Sequence, residues 1–294
     1  MSMKPDFNKG LLLTSLGSFW WGFIGVIYFE YVSFIGHIEL VVHRCLWTAV
    51  MLIITTSFFV KWKVFFKIVS NKKNLIALFI SGFLIFINWA VWIYAVATNR
   101  IIDASFGYFI MPIISVLLGY IFFKEKLNKK RIFSIILVFI SILILIFFNL
   151  KSLPWVGLIV ALSWAFYNLI RKKINIDTDV GLLIESLYIL PFALIIFYLI
   201  STNNFNDFTL SNPPMMLVIF LAGPMTIIPL FLYVKGVEKC GVGPSGMIFY
   251  ITPTLQFLLG YFYYDEPFSI TKLVSFIFIW IAVIIYLKDL YETN

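Results

Sequence analysis

Long apolar runs alternate with short polar breaks along the whole chain. Crossing a bilayer takes about 20 mostly apolar residues. Runs that long fall at roughly 10–32, 37–60, 74–98, 102–123, 129–149, 153–171, 179–200, 214–234, 242–264 and 270–287. The pattern predicts an all-α integral membrane fold of ten transmembrane helices. The longest break is 201–213, STNNFNDFTLSNP, which is polar, acidic and free of Lys and Arg. The first run is long and shows no small-residue cleavage pattern before the second, so it is read as a retained helix rather than a signal peptide.

Composition agrees. The chain is 62% hydrophobic and 12% charged, with 33 Phe, and its mean hydropathy is +1.01. A soluble fold of 294 residues has no room to hide that much apolar surface. The net charge of +8 does not indicate nucleic-acid binding, because the cations stand in short runs between apolar segments. They read as topology signals next to anionic lipid. With the N-terminus inside, every Lys and Arg falls on the cytoplasmic side except Arg44, Arg100, Lys151 and Lys272. That bias predicts an even number of spans with both termini cytoplasmic. Cys45 and Cys240 share no ligand spacing and read as buried thiols, with neither a disulfide nor a metal site expected.

An internal repeat gives the fold its symmetry. Residues 105–128 (SFGYFIMPIISVLLGYIFFKEKLN) match 246–269 (GMIFYITPTLQFLLGYFYYDEPFS) at an offset of 141, aligning Pro112 with Pro253 and Glu125 with Glu266. Lys124, Lys126, Lys129, Lys130 and Arg131 surround Glu125, whereas Asp265 and a single cation, Lys272, flank Glu266. Similar residues with opposite flanking charge predict two inverted halves, 1–150 and 151–294, of five helices each. Trp21-Gly22 corresponds to Trp164-Ala165, and Arg44 on helix 2 to Glu185 on helix 7.

Charged groups within spans are few. Each costs on the order of 3 kcal/mol to insert and usually faces protein or water. Glu39 and His43 share a helix face at four-residue spacing, and Arg44 and Glu185 sit at pseudo-equivalent positions. Asn88 stands mid-helix with Trp92 one turn on, and Tyr108, Tyr167 and Tyr250 also fall in spans. On the functional reading these groups line a path for a polar substrate. Against it, Glu39, His43 and Arg44 form an interfacial capping cluster, and Asn88 bridges two helices. Pro112, Pro253, Pro191 and Pro229 fall inside spans, where each removes a backbone bond and bends the helix, as a static kink or a pivot for gating.

No nucleotide loop, HExxH, Gly-x-Ser-x-Gly or Cys/His spacing is present, so no enzyme activity and no cofactor is expected. Transport would then run on an ion gradient, or as exchange or facilitation. Glu39, Glu185 and His43 are the evident protonatable groups in spans, which makes protons the candidate coupling ion.

Several stretches together resemble the drug/metabolite transporter superfamily, in its EamA group and RarD-like branch. They are Lys9-Gly10, WGFIGVIYF (21–29), Glu39 with His43-Arg44 and Trp47, Asn88-Trp89, GYFIMP (107–112), Ser152-Leu153-Pro154, AFYNLIRKKI (165–174), GLLIE (181–185), Pro229-Leu230, YITPTLQFLL (250–259) and FIW (278–280). The resemblance spans essentially the whole chain. It implies ten helices in two inverted halves, a central path lined by both, and a permease of the bacterial inner membrane. Met111 replaces the family's Asn before Pro112, Gly25 replaces a Pro and Glu30 a Lys.

The expectation is a secondary transporter for a small polar or zwitterionic metabolite, a monomer or homodimer in contact with membrane lipid. Arg44 would meet a carboxylate. Glu185 or Glu39 would meet a cationic end or carry a proton, and Asn88, Tyr108, Tyr167 and Tyr250 would donate hydrogen bonds. The alternatives are an exporter of apolar drug-like compounds, in which Arg44 and Glu185 are locked together, and a flippase for lipid-linked headgroups.

Overall fold

The computed structural model describes residues 5–32, 34–97, 101–149, 155–203, 206–263 and 270–293. Lys4, Arg100, Lys151, Asp265 and Glu266 lie outside the described residues. All regular structure among those described is helical: α1 (Pro5–Phe19), a π-helical turn (Trp20–Ile24), α2 (Gly25–Tyr31), α3 (His37–Phe58), α4 (Trp62–Val69), α5 (Lys72–Ala97), α6 (Ile101–Phe123) and α7 (Lys129–Asn149). There follow α8 (Trp155–Ile174), α9 (Thr178–Thr202), α10 (Pro213–Phe220), α11 (Ala222–Cys240), α12 (Val242–Ile248), α13 (Ile251–Phe262) and α14 (Ile270–Thr293).

Ten spans were expected; seven helices among the described residues are long and apolar enough to cross a membrane. The other three expected runs are helical but fall short for separate reasons. α6 counts only from Gly107 to Phe123. α8 is diluted by Ser163, Asn168 and a basic last turn. The run 242–264 is broken into α12 and α13.

That break has a local cause. Pro253 has no N–H for the carbonyl of Phe249 four residues back. The Phe249 carbonyl instead accepts from Thr252 N at 2.9 Å, and Tyr250 N reaches Met247 O, so the backbone tightens to three-residue spacing. Pro253 therefore stands in the first turn of α13 rather than mid-helix, whereas its sequence partner Pro112 lies inside an uninterrupted α6. Pro191 and Pro229 likewise sit inside α9 and α11.

The π-helical turn faces this break. Gly22 lies against α13, where a Cβ would come within 2.9 Å of the Thr252 carbonyl. Thr252 Oγ1 donates to the Ser18 carbonyl at 2.9 Å. Irregular backbone at the centre of the bundle is tolerated here because partners from the facing helix satisfy it.

Helix pairing is regular. α1 packs along α11 and α5 along α8; α3 packs on α9, α6 on α12, and α7 on α14. Trp21 and Trp164 meet edge to face at 5.2 Å, and with Tyr233 and Phe249 they form a closed aromatic cluster in the middle. Phe, Ile and Leu cover much of the outside: Phe58, Phe147 and Leu210 are among the exposed apolar side chains. Such a surface fits lipid rather than water.

Candidate functional site

Arg44, about two turns into α3, is the most unusual charge in the bundle. It is buried, with 8% of its surface exposed. Nε donates to Thr226 Oγ1 on α11 at 3.0 Å. The guanidinium lies over the rings of Phe29, at 4.8 Å, and Trp89, at 5.1 Å. Tyr28 and Tyr108 are within electrostatic range. No carboxylate among the described side chains, which do not include those of Glu30 and Asp103, lies within ion-pair distance of it. A buried cation without an anion is costly, and the two rings stabilise it only by cation–π attraction, about 2 kcal/mol or more when desolvated. α2, α3, α5, α6 and α11 all contribute to this place, so both halves of the chain meet there.

Glu185 is not at that place. On α9 its Oε1 accepts from Ser81 Oγ at 2.5 Å and its Oε2 from Tyr167 OH at 3.2 Å. Arg171, fully buried on α8, lies 3.6 Å from Glu185 and 3.6 Å from Glu238 of α11. Arg171 Nη2 also donates to the Thr178 carbonyl, and Thr178 Oγ1 donates to Glu238 at 2.6 Å. The opposite charges at pseudo-equivalent positions thus face separate clusters. Arg171, read from sequence as a loop cation, is the counter-charge of Glu185. Lys61 extends the same end of the bundle with Asp177 and Asp179, at 3.2 and 2.7 Å. Burial works to lower the Lys61 ammonium, and the two carboxylates outweigh it, leaving it raised.

Glu39 and His43 occupy the opposite end of α3. The Glu39 carboxylate accepts from the backbone N–H of Asp207 at 2.8 Å and of Phe208 at 3.0 Å, so it fastens the acidic loop onto α3. His43 lies 3.6 Å from Glu39, and its ring packs on Phe208, Phe197 and Trp47. Asn88 bridges α5 to α8 by donating to the Val160 carbonyl and Ser163 Oγ. Trp92 packs on Phe29, 6.5 Å away, behind the Arg44 site. Tyr250 OH donates to the Phe109 carbonyl at 2.7 Å, tying the α12–α13 joint to α6. Of the residues singled out in sequence, the structure brings Arg44, Tyr108 and Trp92 to one locality; Thr226 and Phe29 complete it. Glu125 caps α12 by accepting from Val242 N and Gly243 N at 3.0 and 3.1 Å. Burial pushes its carboxyl up against the pull of those donors.

The model of the EamA-like transporter family matches the chain twice, over residues 8–147 and 152–288. The chain belongs to the EamA-like transporter family. It is 34% identical over 282 residues to the uncharacterized transporter YojE of Bacillus subtilis, covering 95% of this chain and 93% of that one. To the protein RarD of Escherichia coli it is 31% identical, covering 98% and 96%. The chloramphenicol-sensitive protein RarD of Pseudomonas aeruginosa is 24% identical, over 84% and 83%. A solved crystal structure at 13% identity superposes with a TM-score of 0.73 over 98% of this chain and 100% of the other, which shows a shared fold. This EamA-like protein is a multi-pass membrane transporter of the drug/metabolite superfamily, as the sequence motifs led one to expect.

Proposed function

We propose that the chain is a secondary-active permease that moves a small polar or zwitterionic metabolite across the bacterial inner membrane by alternating access. The two working parts are inverted five-helix halves, 1–150 and 151–294, with both termini cytoplasmic. The observation that carries this reading is Arg44, a buried cation with aromatic neighbours and no carboxylate partner among the described side chains. A substrate carboxylate is the missing partner. Helix pairing supports the two-half arrangement, because α1 on α11 and α5 on α8 exchange under a half-to-half swap, while α3 on α9, α6 on α12 and α7 on α14 map onto themselves. Two ties lie at opposite ends of α3 and α9. Glu39 holds the 206–208 loop, and Arg171 holds α8, α9 and α11 together. Alternating access needs one tie to open while the other stays shut. Protonation of Glu185 would weaken its hold on Arg171, which couples the second tie to a proton gradient.

The test is flux in proteoliposomes holding the full chain, driven by an imposed pH gradient, with amino acids, betaines and apolar antibiotics as cargo. Zwitterion flux lost in Arg44→Gln is expected. With Glu185→Gln, pH-driven flux is lost and exchange remains; unchanged pH dependence removes Glu185 from the coupling. The aromatic cluster of Trp21, Trp164, Tyr233 and Phe249 favours a second reading, an exporter of apolar compounds. Flux of antibiotics alone, indifferent to Arg44→Gln, would establish that one instead.

A further inference from the structure

Building on the permease reading, we infer that the Arg44 site takes its substrate through one carboxylate, and that Thr226 is the residue that positions the guanidinium for it. Arginine presents five N–H donors in one plane. Here Nε is occupied by Thr226 Oγ1, whose own hydrogen goes to the Ala222 carbonyl at 2.7 Å. The Thr226 oxygen is therefore left as an acceptor, and the guanidinium is pinned along its Nε edge. Phe29 and Trp89 lie over its plane and restrict its tilt. The Nη donors meet no acceptor among the described residues. Their spacing matches the two oxygens of a carboxylate, which an arginine binds as a fork.

Charge selects the anion. The protein groups acting electrostatically on Arg44 are Cys45, Tyr108 and Tyr28, and none of them is a second cation. A carboxylate brings one negative charge, which Arg44 neutralises. A phosphate monoester would bring a second charge into aromatic surroundings with nothing to balance it. A neutral amide would leave the cation unpaired. Tyr108 OH, which has no hydrogen-bond partner among the described residues, is available as a further donor to the same anion. Thr226 acts only through Arg44, so it is a positioning residue.

The experiment uses the full chain in lipid nanodiscs with benzoate, benzamide and phenyl phosphate as probes and the melting midpoint as readout. Benzoate raises the midpoint saturably, phenyl phosphate needs at least about tenfold more, and benzamide gives no shift. Thr226→Val weakens benzoate about tenfold, and Thr226→Ser, which restores the oxygen, recovers it to within about threefold. If Thr226→Val does not fold, Arg44→Lys decides, because it keeps the charge and loses the fork; about tenfold weaker benzoate is expected. The inference is overturned by no response to benzoate, by an equal response to benzamide or phenyl phosphate, or by unchanged benzoate affinity in the folded variant. Flux separates this outcome from that of the permease reading. Benzoate that binds in the expected pattern but is never carried, alongside no flux of any cargo, removes the permease and leaves the carboxylate site. Flux indifferent to Arg44→Lys and Thr226→Val removes the carboxylate site and leaves the permease.

Discussion

Arg44 and Arg171 are both buried arginines in the same bundle, and their surroundings are opposite. Arg171 has two carboxylates at 3.6 Å, a backbone carbonyl at 3.1 Å, and partners on α9 and α11. Arg44 has a threonine, two aromatic rings and, among the described side chains, no carboxylate. A charge paired inside the protein holds helices together, and removing one member strands the others. A charge left unsatisfied adds no comparable stability, and its cost is retained only if something outside the protein answers it. Burial alone does not separate a structural charge from a functional one; the partner does.

The largest expected effect lies on the structural side. Arg171→Gln leaves Glu185 buried without a counter-charge and Glu238 with only the partly exposed Lys235, 3.6 Å away; it should cost about 3–5 kcal/mol, seen as loss of monodisperse protein or an early denaturant midpoint. A wild-type midpoint would mean that the cluster is hydrated and contributes little. On the other side, Arg44→Gln should leave the fold intact and cut carboxylate transport by about 100-fold, or about 2.7 kcal/mol of binding free energy. Initial-rate flux checks this, and retained flux would make Arg44 structural too.

Two glycine crossings also differ in how tightly they are packed. Gly82 of α5 lies against α9 and Gly223 of α11 against α3. A Cβ at Gly82 would meet the Glu185 carbonyl at 3.3 Å, and one at Gly223 would meet Trp47 Cβ at 2.6 Å. Gly223→Ala should therefore cost more than Gly82→Ala, about 1–3 kcal/mol for the overpacked site. Equal losses in thermal melting would erase the asymmetry. Smaller again is Tyr250→Phe, which removes the bond to Phe109 at the α12–α13 joint and should cost about 1 kcal/mol.

The smallest effect is a pH dependence. Burial raises the Glu125 carboxyl above its usual range. The native state thus binds that proton more tightly than the unfolded chain. Its contribution is fully present below the ordinary glutamate pKa and is lost as pH rises through the raised folded value. Melting across that window should fall with pH, and Glu125→Gln should flatten the slope. A slope unchanged in the variant would place the proton elsewhere.

Much of this architecture was legible in the sequence because lipid imposes strong patterns. Apolar runs near 20 residues and the family motifs led to helices and a family that the structure and the comparisons bear out. Arg44 stood out as one of few charges in an apolar run, beside Glu39 and His43. Arg171 did not, because it belongs to a basic triplet at a helix end, and that pattern usually marks the membrane surface. Its partner Glu238 lies 67 positions along the chain, and no local spacing links them. Thr226 gave no signal either, since a threonine in a span usually bonds its own helix, as this one does to Ala222. The α12–α13 break was hidden because Pro112 and Pro253 match in sequence, yet α6 continues through its proline. Whether a proline bends or breaks a helix depends on which neighbours accept the freed carbonyl.

If Arg44 is kept for a ligand at no benefit to the fold, ligand-free thermal melting of Arg44→Gln beside Arg171→Gln in the same lipid will show it. The Arg44→Gln midpoint is expected at or above wild type, and the Arg171→Gln midpoint lower by about 5 °C or more. A drop in Arg44→Gln as large as that in Arg171→Gln would contradict it.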